Sequence, residues 1–390
     1  MTGELLATII AVTALAVATA GLALAATITR RVGNRDPIAV PPLWRKLLGI
    51  KALPQELRGD FAPAKRSTER IAFIVNPTKA GVGEVREQAM RACSIRYLPE
   101  PMWLYTSETD PGEQATRAAL DAGADVVVAV GGDGTVRGVA EVLAGTGKPL
   151  AIIPMGTGNL FARNLDLPLN DTASLLRIAL EGENAPIDVG WLDLDRGPRA
   201  DGERHIFLVI AGAGLDAEMV AGADERLKQR LGWLAYFLAA LKHLGSRRMT
   251  ASVSVDGSKD ITAQMRTVLF ANVGRLPGGL MLVPDASMED GWLDVATLDA
   301  RAGIVGWTAL FGNVVAQGAG LRMPELLKAY GTSRIDHARG KSIVVAMDHL
   351  HQVQADGETL GLARRVTATI DPGALIVRRQ ARKPDRQSPR

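Results

Sequence analysis

Val126-Val-Val-Ala-Val130 runs directly into Gly131-Gly132-Asp133-Gly134-Thr135, and the fold turns on these ten residues. A continuous apolar run rich in valine reads as a strand buried on both faces. Without Cβ atoms at 131, 132 and 134, the backbone is expected to reach φ > 0 and to approach a phosphate closely. Successive N–H groups would then form an anion nest at the N-terminus of the next helix, with Thr135 adding a hydroxyl donor. Asp133 would repel an anion directly. It is expected to handle a metal, a water or a ribose, or to hold the loop by accepting N–H bonds.

Working outward, residues 71–75 are a short apolar strand that ends at Asn76-Pro77. Helix is expected at 84–92, a broken strand at 96–105, helix at 113–122 and at 136–143, and a strand at 150–153. Pro154-Met155-Gly156-Thr157-Gly158-Asn159 then repeats the glycine-rich design before a helix at 160–165. Alternating strands and helices predict a parallel α/β sheet. Ligands bind such sheets at the carboxyl ends of strands, where both glycine clusters fall. The dinucleotide fingerprint G-x-G-x-x-G is absent. So is a Walker A loop, because Pro149 follows Gly147-Lys148.

After residue 187 the pattern changes. Short strand-like runs at 205–210, 250–255, 268–273, 293–298, 342–347 and 365–370 are separated by Gly, Asp and Pro, which predicts a second, mostly antiparallel β domain. Helical insertions at 225–244 and 304–319 read as covering helices. His349 and His351 alternate along an expected strand with no third ligand, which favours strand packing over a metal site. Met102 and Trp103 read as core.

The chain has 390 residues, enough for two domains with appendages. Hydrophobic residues at 47% and charged residues at 22% fit a packed globular protein. With aromatics at 4%, a nucleic-acid stacking platform is not favoured, and no nucleic-acid partner is expected. Cys93 is the single cysteine, so a disulfide-stapled scaffold is excluded and a buried thiol is expected.

The formal charge of +3 is small, and its placement carries the information. Residues 5–29 contain no charged side chain. As a helix at ~1.5 Å per residue they would cross a ~30 Å hydrocarbon core. Glu4 before a long apolar run disfavours a cleaved signal peptide. Arg30, Arg31, Arg35, Arg45 and Lys46 follow the run, so a single-pass anchor with a cytoplasmic downstream chain is expected. Gly21 and Ala25 leave a homodimer through this helix open, with Ala-rich composition as the simpler explanation. Trp44 with Arg45, Lys46 and Lys51 suits a membrane interface and equally a linker helix. The basic tail at 378–390 is expected to be disordered, and both basic ends would favour an anionic membrane surface. The expected organisation is an anchor at 1–30, a juxtamembrane linker at 31–69, a nucleotide-binding lobe at 70–186, a lipid-substrate domain at 187–377 and the tail.

Asn76-Pro77-Thr78-Lys79-Ala80-Gly81, the 131–135 turn, and the 154–159 turn followed by Phe161-Ala162-Arg163 resemble the bacterial diacylglycerol/lipid kinase catalytic family. That family includes sphingosine and ceramide kinases, with NAD kinases as more distant relatives. The similarity spans residues 71–377 and continues in Pro284-Asp285-Ala286, in Asp290-Gly291-Trp292-Leu293-Asp294 and in Asp356-Gly357-Glu358. The resemblance implies a phosphofructokinase/NAD-kinase-like α/β kinase lobe with a β-sandwich second domain, and an ATP-dependent lipid kinase that converts diacylglycerol to phosphatidic acid.

It also implies an ATP site built from Asn76, Pro77, Thr78, Thr106, Gly131, Gly132, Asp133, Gly134, Thr135, Gly156, Thr157 and Asn159. Glu358 would accept the proton of the lipid hydroxyl, with Asp356 beside it in the catalytic pair. A structural Mg²⁺ would bind the Asp290 carboxylate and the carbonyls of Ser287 and Trp292. A second Mg²⁺ would accompany the nucleotide, and Asp133 and Asp188 match an acidic network between the sites.

The chain departs from the pattern at three places. Its first loop has one extra residue and lacks the usual Ser. Arg137-Gly138 replaces the common Asn-Glu, which weakens an NAD-kinase reading. Leu160 stands where an acid is frequent. Another lipid alcohol (sphingoid base, ceramide or polyprenol), NAD, or a nucleotide-binding membrane protein without turnover are the alternatives.

Overall fold

A computed structural model describes residues 68–196, 203–214, 248–275, 283, 285–300 and 333–380. The expected segments at 5–29, 225–244 and 304–319, the juxtamembrane stretch and the tail beyond 380 lie outside the described residues. Among the described residues, no helix is long and apolar enough to cross a membrane.

Strands β1 (Ile71–Val75), β2 (Met102–Tyr105), β3 (Val126–Gly131) and β4 (Pro149–Pro154) are parallel, in the order β2-β1-β3-β4. Every residue of β1, β3 and β4 is buried, as expected of strands covered on both faces. The helices between them are α1 (Val82–Ile95), α2 (Glu113–Asp121) and α3 (Asp133–Leu143), followed by α4 (Leu160–Asn164) and α5 (Thr172–Glu181). Helix α1 buries Val85, Ala89 and Cys93 at four-residue spacing, so the free thiol is a core side chain. Met102 and Trp103 lie on the edge strand β2 and are half-buried, with Trp103 stacked 4.5 Å from Phe73. The Asp171 carboxylate caps α5 by accepting the Ser174 N–H.

The second half is built from β5 (Glu183–Asp195), β6 (Glu203–Phe207), β7 (Ile210–Ala213), β8 (Met249–Val255), β9 (Ile261–Met265), β10 (Thr267–Ala271), β11 (Leu293–Ala300), β12 (Ser333–Gly340), β13 (Ser342–Ala355) and β14 (Glu358–Arg379). Its pairings are antiparallel, and Phe207, Phe270, Leu293, Ile343, Val345 and Val366 lie at its core. Strand β14 pairs with β5 along most of its length and is parallel to β4 at Ile376 and Val377. A single strand therefore carries the β-rich half into the α/β sheet.

Residue 187, where the sequence pattern changes, lies inside β5. Pro372-Gly373 reads locally as a turn but is accommodated as an irregularity between Asp371 and Leu375. Strand β9 has no apolar alternation to announce it, because four of its five residues are exposed. His351 pairs with Asp348 at 3.2 Å. Among the described residues, no group of three His, Cys, Asp or Glu could hold a metal ion.

Candidate active site

The expected nucleotide residues fall at the carboxyl ends of four adjacent parallel strands. Asn76, Pro77 and Thr78 follow β1, Thr106 follows β2, the 131–135 turn joins β3 to α3, and Gly156, Thr157 and Asn159 follow β4. Asn76 donates its N–H to the Val130 carbonyl, and its Oδ1 accepts from the N–H and hydroxyl of Thr78 at 3.0 and 2.7 Å. Thr106 is buried and donates its N–H to Val75.

The glycines serve close approach. Among the described residues, positive φ occurs at none of 131, 132, 134 and 156, contrary to the sequence reading. A Cβ at Gly131 would stand 2.5 Å from Thr135 Oγ1, and one at Gly156 would stand 2.9 Å from Gly132 Cα. Thr135 is 4% exposed and packs beneath the turn, a bracing position for a residue expected to offer a hydroxyl. Helix α3 begins at Asp133, three residues earlier than expected, so the turn is itself the helix N-terminus.

Asp133 takes the last of its anticipated roles. Its carboxylate accepts the N–H groups of Asn159 at 2.9 Å and Leu160 at 2.6 Å, tying the first glycine turn to the start of α4. Burial pushes its pKa up, while these bonds pull it down. Asn159, at φ 46°, brackets Gly156 by accepting its N–H and donating to its carbonyl. Met155 N–H donates to the Gly131 carbonyl at 2.7 Å. The two turns form one rigid cradle, and Leu160 is core at 1% exposure.

Lys79 was not singled out from sequence. Its Cε lies 4.0 Å from where a Gly132 Cβ would be, so a cation borders the cradle. The extra residue in the first loop was the available signal. Beside the second turn, a cavity of about 370 Å³ opens between Ala80, Met155, Thr157, Arg163 and Asn170.

Glu358 begins β14 and faces the cradle: a Cβ at Gly134 would lie 3.9 Å from its Oε2. The same oxygen pairs with the Arg137 guanidinium. Asp356 does not share this position. At φ 48° it turns back, and its carboxylate accepts N–H bonds from Leu208 at 2.7 Å, Val209 at 2.9 Å and Ile210 at 3.0 Å. Burial pushes its pKa up against those three bonds. Asp356, expected beside Glu358 in the catalytic pair, thus spends its carboxylate on the backbone of residues 208–210 at the base of the hairpin that carries Glu358.

In the loop expected to bind Mg²⁺ through Ser287, Asp290 and Trp292, the carboxylate has protein partners. Asp290 Oδ2 pairs with Arg339 Nη1 at 3.2 Å, and its Oδ1 accepts the Trp292 N–H at 3.1 Å. Arg339 also donates to the Asp285 carbonyl at 2.6 Å and grips the buried Asp294, which His337 contacts as well. Lys341 Nζ sits 5.5 Å from the Trp292 ring centroid. Asp188 is buried, and its two oxygens accept the N–H groups of Gly291 and Gly373. A divalent cation takes carboxylate, backbone-carbonyl and water oxygens as ligands. Here the Asp290 carboxylate is engaged by a guanidinium and a backbone N–H, so a cation at this loop would have to share or displace Arg339.

Residues 70–192 match the diacylglycerol kinase catalytic domain, and residues 209–379 match the YegS C-terminal NAD kinase beta sandwich-like domain. A diacylglycerol kinase of Mycobacterium tuberculosis is 32% identical over 266 residues, covering 67% of this chain and 79% of its own length. The chain belongs to the bacterial diacylglycerol/lipid kinase family. A Pseudomonas aeruginosa protein named probable lipid kinase YegS-like is 29% identical to this lipid kinase over 320 residues, covering 81% of the chain and 96% of the relative. The fold is that of a diacylglycerol kinase structure from Bacillus anthracis, with a TM-score of 0.61, 24% identity, and coverage of 81% of this chain and 98% of that one. The kinase is thus an ATP-dependent phosphotransferase acting on a lipid.

Proposed function

We propose that the kinase transfers the γ-phosphoryl group of ATP, taken up as its Mg²⁺ complex, to the free hydroxyl of diacylglycerol, giving phosphatidic acid. The observation that carries the reading is Glu358, whose carboxylate stands over Gly134 at the mouth of the cradle. A lipid alcohol with a pKa far above 7 needs a general base within ~3 Å of its hydroxyl. Glu358 takes that proton as the oxygen forms its bond to the γ-phosphorus. The bond from that phosphorus to the β,γ-bridging oxygen breaks, and ADP leaves. The N–H groups of the 131–135 turn at the start of α3, with Lys79 beside it, hold the remaining phosphates. Relatives in M. tuberculosis and Bacillus subtilis named diacylglycerol kinase support this acceptor over other lipid alcohols.

The reading extends to location. Residues 5–29 would anchor the chain with its catalytic part in the cytoplasm, and the basic ends would lie against anionic headgroups. An insoluble substrate would then be presented at high effective concentration.

Labelled ATP offered with diacylglycerol, a sphingoid base, ceramide, a polyprenol and NAD tests the acceptor. Label in phosphatidic acid is expected, and Glu358→Gln is expected to lower that rate by about 10²–10⁴-fold. Label in another lipid alone would reassign the substrate, and label in NAD alone would overturn the lipid reading. Wild-type turnover by Glu358→Gln would remove the proposed base.

A further inference from the structure

We propose that Arg137 binds the transferring γ-phosphoryl group, moving its guanidinium from the Glu358 carboxylate to phosphate oxygens and releasing Glu358 to accept the lipid proton. The inference rests on Glu358 as the base and adds a residue that no motif assigns. Arg137 stands four residues after Asp133 in α3, one helical turn beyond the phosphate cradle. The residue is only 8% exposed, whereas half of the Glu358 side chain remains accessible. Among the described residues, Glu358 is the one hydrogen-bond partner of this guanidinium, through Nη2. Nε and Nη1 keep donors for another acceptor.

Geometry places the acceptor. A hydroxyl held ~3 Å from Glu358 and poised ~3–3.5 Å from the γ-phosphorus puts phosphate oxygens within about 6 Å of the carboxylate. A guanidinium already in contact with that carboxylate spans much of this distance. Its planar fork suits the equatorial oxygens of a phosphoryl group, where charge is spread in the transition state. With no phosphate present, the exposed Glu358 takes the fork instead. A γ-phosphate carries more charge than one carboxylate and displaces it. Glu141, one turn further along α3, is half-buried and makes no hydrogen bond to this guanidinium among the described residues; burial and the nearby Glu113 push its pKa up, and Arg137 pulls it down. Asp356, also facing Arg137, is occupied by three N–H donors.

Three variants test this. Arg137→Lys keeps a positive charge beside Glu358 but loses the fork. It is expected to lower kcat about 10–100-fold while changing the lipid KM less than threefold. Arg137→Met is expected to lower kcat by about 10³-fold, and added guanidinium should restore part of the rate of Arg137→Ala. Binding gives a readout independent of turnover. The wild type should bind a non-hydrolysable ATP analogue more tightly than ADP, and Arg137→Lys should erase that preference without weakening ADP.

Unchanged kcat in Arg137→Lys, or equal losses of ADP and analogue affinity, would overturn the proposal. Should Arg137→Met fail to fold, the lysine variant and its two affinities still decide. Failure of the wild type to label any lipid would instead strike the lipid-kinase reading, while the two affinities would still report on Arg137.

Discussion

Two acidic, glycine-containing turns dominate this kinase, one at 131–135 and the other at 285–292, and their charges are balanced in opposite ways. In the first, the single carboxylate of Asp133 is spent on the N–H groups of Asn159 and Leu160. The helix N-terminus and Lys79 are left as an electropositive surround for phosphate, with the buried Arg137 held beside them by the exposed Glu358. In the second, Asp290 and Asp294 are gripped by Arg339, and Asp188 by the N–H groups of Gly291 and Gly373. The carboxylates of Asp290, Asp294 and Asp188 therefore already have partners. What a turn can bind is therefore set by the partners its charges already have. Those partners arrive from distant strands, here β12.

The largest expected effect tests the second turn. Arg339→Met leaves the fully buried Asp294 with His337 alone. Removing one partner of a fully buried pair costs about 3–5 kcal/mol; with a third of Arg339 exposed, about 2–3 kcal/mol is expected, a fall in Tm of roughly 5–10 °C. Metal sharpens the test: millimolar Mg²⁺ or EDTA should leave the Tm of the wild type unmoved. In Arg339→Met, Mg²⁺ should recover part of the loss, because Asp290 and Asp294 then regain charge for an oxygen-ligated cation. A wild-type Tm that rises with Mg²⁺ would erase the contrast between the turns.

A smaller effect is expected at the first turn. Asp133→Asn keeps one acceptor but turns an amide NH₂ toward an N–H donor. Bonds to charged groups contribute about 1.5–3 kcal/mol, so kcat/KM should fall about 30-fold with the fold retained by circular dichroism. The loss should appear mainly in the KM for ATP, since the cradle would loosen while Glu358 stays in place. A change confined to the lipid KM would break the assignment of this turn to the nucleotide.

Much of this was legible in sequence, and what was missed has physical causes. The valine run and the alternating pattern announced β1, β3 and β4, because strands buried on both faces need continuous apolar residues. The clustering of Asn76, Thr106 and the two glycine turns followed from strand order. The partners of Asp356 and Asp290 were not legible, because a motif records a carboxylate without recording who satisfies it. Three backbone N–H groups from residues 208–210 and a guanidinium from residue 339 cannot be counted from the local sequence. Arg137 was visible only as a departure from a pattern. Its meaning depends on Glu358, 221 positions away.

The glycines supply the smallest test, and it separates close approach from backbone freedom. Gly156 has no positive φ, so alanine there introduces no conformational strain. Its Cβ would nevertheless stand 2.9 Å from Gly132 Cα, a backbone atom that cannot rotate away. The two turns must then part by several tenths of an ångström, at an overpacking cost of about 1–3 kcal/mol. Part of that cost falls on the nucleotide, so the KM for ATP in Gly156→Ala should rise about tenfold with the lipid KM unchanged. Gly83, in the first turn of α1, provides the contrast, because a Cβ there meets nothing within 4 Å. Alanine at 83 should raise stability by up to about 1 kcal/mol through helix propensity. Equal kinetics for Gly156→Ala and the wild type would mean that the cradle tolerates separation, and the rigid coupling of the two turns would fall with it.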